Sequence, residues 1–190
     1  LASGVMVVCT GRATKQIDTL QAGVKEYIAT LRLGATTPSF DLEHPVDHTY
    51  ATCHIDHQLV ETQLKKFVGD IWQTPPAFSA VKVDGKRAYD LARKGKEVEL
   101  KPKLLRIDEL ELLDCTLAGA EKFLTIRVVC SKGTYIRALA RDIGEALGSG
   151  AHLTSLRRTR VGDFRVEDCM QLDDFEGWLA QQTIETELPQ

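Results

Sequence analysis

The stretch Phe123-Leu124-Thr125-Ile126-Arg127-Val128-Val129-Cys130-Ser131-Lys132-Gly133-Thr134-Tyr135-Ile136-Arg137 reads as a strand, a glycine turn and the opening of a helix. The run to Cys130 is apolar and β-branched, as a half-buried strand requires. Beyond the turn, Ile136, Leu139, Ala140, Ile143 and Leu147 recur at helical spacing, which predicts a helix over 134–147. Upstream, Leu104 to Cys115 has the same strand character, so the two runs form an antiparallel pair joined by Thr116 to Lys122. The junction carries Lys132, Tyr135 and Arg137, with Arg141 one turn further on. A cation at a helix start faces the positive end of the macrodipole and is mildly unfavourable unless an anion pairs with it. That anion is either a phosphate or a carboxylate that the arginine keeps ionised; otherwise these are ordinary surface cations.

Working outward, Lys25 to Leu33 alternates, with Tyr27, Ala29, Leu31 and Leu33 on one face and Gly34 closing the strand. Before it, Val5 to Cys9 reads as a buried strand and Gly11 to Thr14 as a turn in which Thr14 caps a short helix through Ile17, Leu20 and Val24, ending near Gly23. Residues 35–48 hold Pro38 and Pro45 and read as a loop. Asp56 caps a helix with Leu59, Leu64 and Phe67 on one face, closed by Gly69-Asp70. After the break at Thr74-Pro75-Pro76, Phe78 to Val83 reads as a strand and Asp84-Gly85 as a two-residue hairpin turn. A short helix over Ala88 to Arg93 stops at Gly95. Residues 151–157 read as a short helix, Val161 to Phe164 as a strand, and Phe175, Trp178 and Leu179 as one face of a final surface helix. Helices mixed with antiparallel strands give an α+β class: a mixed, largely antiparallel sheet flanked by helices. Length suggests that 1–190 is one domain, with room for an extension.

The 190 residues are 43% apolar, enough for a core of their own. No apolar run reaches the roughly 18 residues of a membrane span, and no leader-like segment is present, so no membrane association is expected. Five cysteines at wide spacing, without a Cys-x-x-Cys pair, suit a reducing, cytoplasmic compartment. The net charge of −3 is uneven. From Asp163 onward there are eight acidic residues and one basic, which leaves the body at +4. Such a body is compatible with RNA binding and equally with ordinary surface charge. Between Pro75 and Arg106 nine basic residues, among them Lys82, Lys86, Arg87, Arg93 and Lys94, face four acidic ones, with Phe78 and Tyr89 interleaved. An arm of that kind lies along a phosphate backbone or is a solvated basic hairpin.

Other chemistries find little support. His44, His48, Cys53, His54 and His57 crowd together, but no second cysteine or close carboxylate pattern completes a tetrahedral metal set. Gly148-Ser149-Gly150 lacks the lysine of a phosphate loop, and no serine stands in a nucleophile-elbow context.

Taken in order, several segments resemble the bacterial TruB family of tRNA pseudouridine-55 synthases. Leu1-Ala2-Ser3-Gly4 is similar to the end of the family's Leu-Asp-Pro-Leu-Ala-Ser-Gly motif, and Gly11-Arg12-Ala13-Thr14-Lys15 to its Gly-x-Ala-Thr-Lys. Lys25-Glu26-Tyr27 with Arg32-Leu33-Gly34 matches the Lys-x-Tyr strand. Pro76 to Lys82, Gly85 to Tyr89 and Ala92 to Gly95 match an RNA-gripping insertion, here about 75–103. Ser131 to Arg137 and Gly150-Ala151-His152-Leu153-x-x-Leu156-Arg157-Arg158 complete the set. The resemblance implies an isomerase of the pseudouridine synthase fold that needs no metal or other cofactor and no obligate protein partner. Its substrate would be the T-arm stem-loop of tRNA, from which the target uridine flips out before its glycosidic bond breaks. It implies that Tyr27 stacks on the flipped base and assists proton removal, and that Arg137 pairs with a nucleophilic aspartate. Tyr135, Leu156 and Lys132 would line the substrate pocket, and Lys15, Lys82, Lys86, Arg87, Arg93, Lys94, Arg157 and Arg158 would contact RNA. By the family pattern the aspartate falls two positions before Leu1, so this stretch is expected to be N-terminally truncated and inactive alone. No C-terminal RNA-binding extension is evident beyond Pro189. At Thr36-Thr37-Pro38-Ser39-Phe40-Asp41 the chain departs from the family's Thr-Asp-Thr-x-Asp. The alternative to the enzyme is a non-catalytic RNA-binding protein on the same fold, decided by whether Asp-Pro precedes Leu1.

Overall fold

The computed structural model describes residues 2–79, 81–83, 85–93 and 100–182, with the backbone alone at 82, 83, 86, 87 and 92. The chain enters through β1 (Ala2–Gly4), then a 3-10 turn over Gly11–Gln16 that runs into α1 (Ile17–Ala22). Next come β2 (Lys25–Leu33), the two-residue strands β3 (Ala35–Thr36) and β4 (His48–Thr49), α2 (His57–Leu64) and β5 (Gly69–Gln73). The arm holds β6 (Lys82–Val83), β7 (Lys86–Arg87) and α3 (Ala88–Ala92). It leads back into β8 (Lys103–Thr116), β9 (Lys122–Cys130), α4 (Ile136–Ala146), β10 (Ala151–Val161), β11 (Phe164–Arg165) and α5 (Phe175–Ala180).

One sheet organises these elements, in the order β1-β10-β2-β9-β8-β5, with β11 folded back on β10. Every pairing is antiparallel except β1 with β10. Strand alternation gives the sheet one apolar face: Ala29, Leu31 and Leu33 on β2 and Leu124, Ile126, Val128 and Cys130 on β9 are buried. Helix α4 lays Ile136, Leu139, Ala140 and Ile143 on that face, and α2 adds Val60 and Leu64. Each Ile, Leu or Val among them contributes about 1.5–3 kcal/mol of transfer free energy. Helix and sheet meet closely at Gly144, where a Cβ would lie 2.4 Å from the Ala151 amide nitrogen. Gly133 turns the chain from β9 into α4 at φ 87°, a conformation other residues rarely adopt.

The expected β8–β9 pair, the β2 strand with its alternation and the α4 helix all form. Asp56 caps α2, its carboxylate accepting from the Leu59 amide at 2.7 Å. Six expectations about the elements need correction. Val161 to Phe164 is not one strand: the chain turns at Gly162-Asp163, and Phe164 pairs back on Val161. Residues 151–157 are not a helix: they extend into β10, which fills the gap between β1 and β2 and so satisfies two ladders at once. The buried strand expected at Val5 to Cys9 is instead Ala2–Gly4, after which only Val5 is buried while Met6 and Val8 face solvent. The Gly69-Asp70 pair, read as a helix stop, opens strand β5 on the free edge of the sheet. Phe78 to Val83 is extended only at its end, where Lys82 pairs with Arg87 across the expected two-residue turn. Thr14 does not cap a helix; its hydroxyl donates to the Gly11 carbonyl inside the 3-10 turn. Asp84 of the hairpin turn and Gly95 of the helix stop lie outside the described residues.

Two of the histidines are hydrogen-bonded to backbone carbonyls. His152 is buried with Nδ1 2.9 Å from the Ala35 carbonyl, and His54 Nε2 lies 2.8 Å from the Leu147 carbonyl. His44 packs on Phe78 and His48 on Tyr50.

Candidate active site

Arg137 sits in the first turn of α4 with its side chain 23% exposed. The start of that turn is fixed by Gln73 at the end of β5. Its buried amide accepts from the Tyr135 N–H at 2.9 Å and donates to the Tyr135 carbonyl at 3.2 Å. An otherwise uncapped helix start is thereby satisfied from a neighbouring strand.

The guanidinium of Arg137 reaches three acceptors. It donates to the Phe78 carbonyl at 2.8 Å, to Asp41 Oδ2 at 3.3 Å and to the Ser39 carbonyl at 3.4 Å. Asp41 is nearly buried, and its other oxygen accepts from the Ser39 hydroxyl at 2.6 Å and the Glu43 amide at 3.0 Å. This segment was expected to be a plain polar loop, but Thr37, Ser39 and Asp41 are all buried in it. Thr37 bonds the Asp41 carbonyl at 2.7 Å, and the Phe40 carbonyl accepts from the Leu153 amide of β10 at 2.9 Å. Phe40 takes φ 61°, alone among the described residues other than glycine. That turn sends Asp41 toward Arg137 and lays the Phe40 ring 4.9 Å from the Arg141 guanidinium. Arg141 also donates to the Thr74 carbonyl at 3.0 Å.

A cavity of about 350 Å³ opens above this cluster, lined by Glu43, Phe78, Ser79, Tyr89, Arg93, Tyr135 and Arg137. Its wall comes from the arm: Arg93 lies over the Tyr89 ring at 5.1 Å and 3.7 Å from Glu43. The Ser79 hydroxyl is buried without a hydrogen-bond partner among the described residues.

The expected site residues divide into groups. Arg137, Tyr135 and Arg93 share this cavity. Tyr27 and Leu156 lie on the helix-facing surface of the sheet, where Tyr27 pairs with Arg158 and Leu156 with Ala29 and Ala2. Burial pushes the Tyr27 phenol above its ordinary pKa, against a smaller opposing pull from Arg158. Lys132 is exposed in the turn before α4, Lys15 in the 3-10 turn, and Arg157 on the strand. Arg158 is half-buried and donates twice to the Val5 carbonyl, at 2.8 and 2.6 Å, so part of its capacity pins the entering chain. Lys94 lies outside the described residues, as do the side chains of Lys82, Lys86 and Arg87. Asp41 and Gln73 were missed from sequence. The signal for Asp41 was that it keeps the last acid of the Thr-Asp-Thr-x-Asp pattern; nothing local marked Gln73.

Two family models match the chain. One, described as TruB family pseudouridylate synthase (N terminal domain), covers residues 1–136. The other, described as tRNA pseudouridylate synthase B C-terminal domain, covers 137–190. The chain is 66% identical over 187 residues to a protein of Bacteroides thetaiotaomicron named tRNA pseudouridine synthase B, covering 98% of this chain and 78% of that one. A protein of the same name from Flavobacterium johnsoniae is 47% identical over 93% of this chain and 75% of its own length. Among solved structures, a crystal structure of a Cbf5-Nop10-Gar1 complex matches with TM-score 0.66 and 28% identity, over 94% of this chain and 43% of that chain. An archaeal box H/ACA sRNP Nop10-Cbf5 complex matches with TM-score 0.62 and 26% identity, over 93% of this chain and 41% of that chain.

Proposed function

The chain belongs to the TruB family of pseudouridylate synthases, and on that premise we propose how its residues convert a tRNA uridine in the T-arm stem-loop. The activity of the family is an isomerisation of uridine in tRNA. The N1–C1′ bond of the nucleoside breaks, a C5–C1′ bond replaces it, the C5 proton leaves to solvent and N1 gains one. A duplexed or stacked base cannot be reached for this exchange, so the nucleotide flips into the enzyme.

The observation that carries the reading is the Arg137–Asp41 cluster on the floor of a cavity walled by the basic arm. Asp41 is itself held by Ser39 and Glu43, so its part is to hold the Arg137 guanidinium in place. Arg137 has five N–H donors and keeps some free for a second carboxylate. The resemblance places the nucleophilic aspartate before Leu1. Because β1 runs parallel to β10, the segment leading into it lies toward Leu153, whose amide is held by the Phe40 carbonyl beside Asp41. A carboxylate arriving there meets Arg137, which keeps it anionic and nucleophilic. Tyr27 offers a ring for the flipped base. Its phenol, partly buried against the core, enters the proton step as a hydrogen-bonding partner. Lys132, Tyr135 and Leu156 complete the substrate's surroundings, and Lys15 and the arm hold the stem by its phosphates. The domain organisation we propose is one catalytic unit over 1–190 with the arm at about 75–103. In its support, β10, from the second family-model region, lies between β1 and β2 of the first.

The test is turnover of a T-arm stem-loop carrying tritium at the uridine base carbon, with protein that includes the aspartate upstream of Leu1. Arg137→Ala should lower kcat by about 100-fold or more, equivalent to roughly 3 kcal/mol, with RNA affinity changed less than about threefold. Equal loss of both would make Arg137 a phosphate contact and overturn its role.

A further inference from the structure

A second cavity, of about 340 Å³, lies outside the Arg137 cluster, lined by Met6, Val7, Cys9, Ile17, Leu20, Gln21, Lys25, Arg158 and Val161. Its basic lining is Lys25 and Arg158. The registers explain why they converge. Lys25 stands opposite Cys130 on β9 and Val161 on β10, and Arg158 stands opposite Tyr27. Lys25 and Tyr27, two residues apart on one strand, face the same side about 7 Å apart. Cys130 ends β9, and Lys132 follows it in the exposed turn. Three cations therefore crowd one corner of the sheet. None of the three is ion-paired to a carboxylate among the described residues.

Lys25 is itself oriented. Its ammonium donates to the Gln21 carbonyl and to the Gly23 carbonyl at 2.6 Å, so it caps the end of α1. Two of its three N–H bonds are used and the third has no partner among the described residues. Arg158 is oriented likewise by the Val5 carbonyl. Burial lowers the Lys25 pKa, and Lys132 and Arg158 lower it further. Like charges gathered without a counter-charge are what an incoming anion relieves.

We infer that Lys25, Lys132 and Arg158 form a seat for one phosphodiester of the RNA, the phosphate beside the nucleotide that Tyr27 receives. The inference rests on the RNA-modifying reading and adds to it a positioning contact. The alternative function of Lys25 is only to cap α1. The charges favour the phosphate: a cap alone leaves Lys132 and Arg158 with no counter-charge among the described residues.

The experiment uses T-arm stem-loops in which each phosphate next to the target uridine is replaced, one at a time, by an uncharged methylphosphonate. Affinity is measured across salt for the protein and for Lys25→Met, Lys25→Arg and Lys132→Gln. At one position the replacement should weaken binding by the parent protein about tenfold. It should weaken binding by Lys25→Met and Lys132→Gln much less, and both variants should show a shallower salt slope by nearly one phosphate's worth. Lys25→Arg should restore the parental pattern. A variant pair that binds every RNA in the parental ratio, with Lys25→Met merely melting at lower temperature, would overturn the seat and leave a cap. Lys132→Gln disturbs no cap, so it decides the matter if Lys25→Met does not fold. Turnover by the parent protein with no coupling at any phosphate defeats this inference alone; absence of turnover defeats the activity reading as well.

Discussion

Asp41 shows how a single buried carboxylate can be a site residue without touching substrate. It is held by a hydroxyl, an amide and a guanidinium, and each partner loses its acceptor if the carboxylate goes. Asp41→Ala should therefore destabilise the fold by about 3 kcal/mol, since it strands Arg137 and Ser39 in a poorly hydrated pocket. Asp41→Asn keeps the shape but loses the charge, and its signature should be a fall in kcat larger than any change in RNA affinity. Thermal melts and single-turnover kinetics separate the two effects. Glu26 carries a different load on the opposite face of the sheet. Arg127 donates to it at 2.7 and 3.0 Å, and Thr159 at 2.8 Å. Burial alone would raise the Glu26 carboxyl, but the bonds from Thr159 and Arg127 hold it below its ordinary value. A carboxyl depressed in the folded state contributes stability above its unfolded pKa of about 4.3 and loses it as pH falls through the folded value. Urea melts should show the parent protein losing more stability than Glu26→Gln on acidification from about pH 6 to pH 3. Equal losses would show that the Arg127 bonds contribute nothing net.

At the scale of elements, α4 and β10 are joined where Gly144 meets Ala151. A methyl there must push the helix off the strand, because the obstacle is backbone and cannot rotate away. Gly144→Ala should cost about 2–3 kcal/mol by overpacking, a fall in Tm of roughly 4–12 °C for a chain of this size. An unchanged Tm would show that the helix shifts freely. The junction of β9 and α4 was legible in the sequence, since alternation, a glycine and a helical repeat follow one another from Phe123 to Leu147. β10 was not. Ala151-His152-Leu153 opens with buried residues in succession, which local pattern does not distinguish from a helix face. The vacancy between β1 and β2 that makes the segment a strand is a property of chain elements more than a hundred residues earlier. β5 was hidden for a similar reason: Gly69 and Asp70 are helix-stopping residues, and only the β8 ladder shows that extension begins there.

For the whole molecule, charge is divided between a basic body and an acidic end, and the arm between β5 and β8 holds much of the basic share. Reversing two of its charges, Lys86→Glu with Arg87→Glu, should weaken binding of the stem-loop and flatten the dependence of affinity on salt by about one to two ions. An unchanged slope would make the arm solvated surface. The sequence by itself determined the family, the α+β class, the central strands and helices, and the presence of Arg137 at a helix start. Those are carried by local periodicity, turn residues and short motifs, which residues near in the chain specify. Only the tertiary structure decided that Asp41, Ser39 and Phe78 surround Arg137, that Gln73 closes the start of α4, and that Lys25, Lys132 and Arg158 share a corner. Each depends on strand order and register, which bring together residues as far apart as 25 and 158. A buried polar group is placed by the partners that satisfy it, and in this fold those partners come from distant segments.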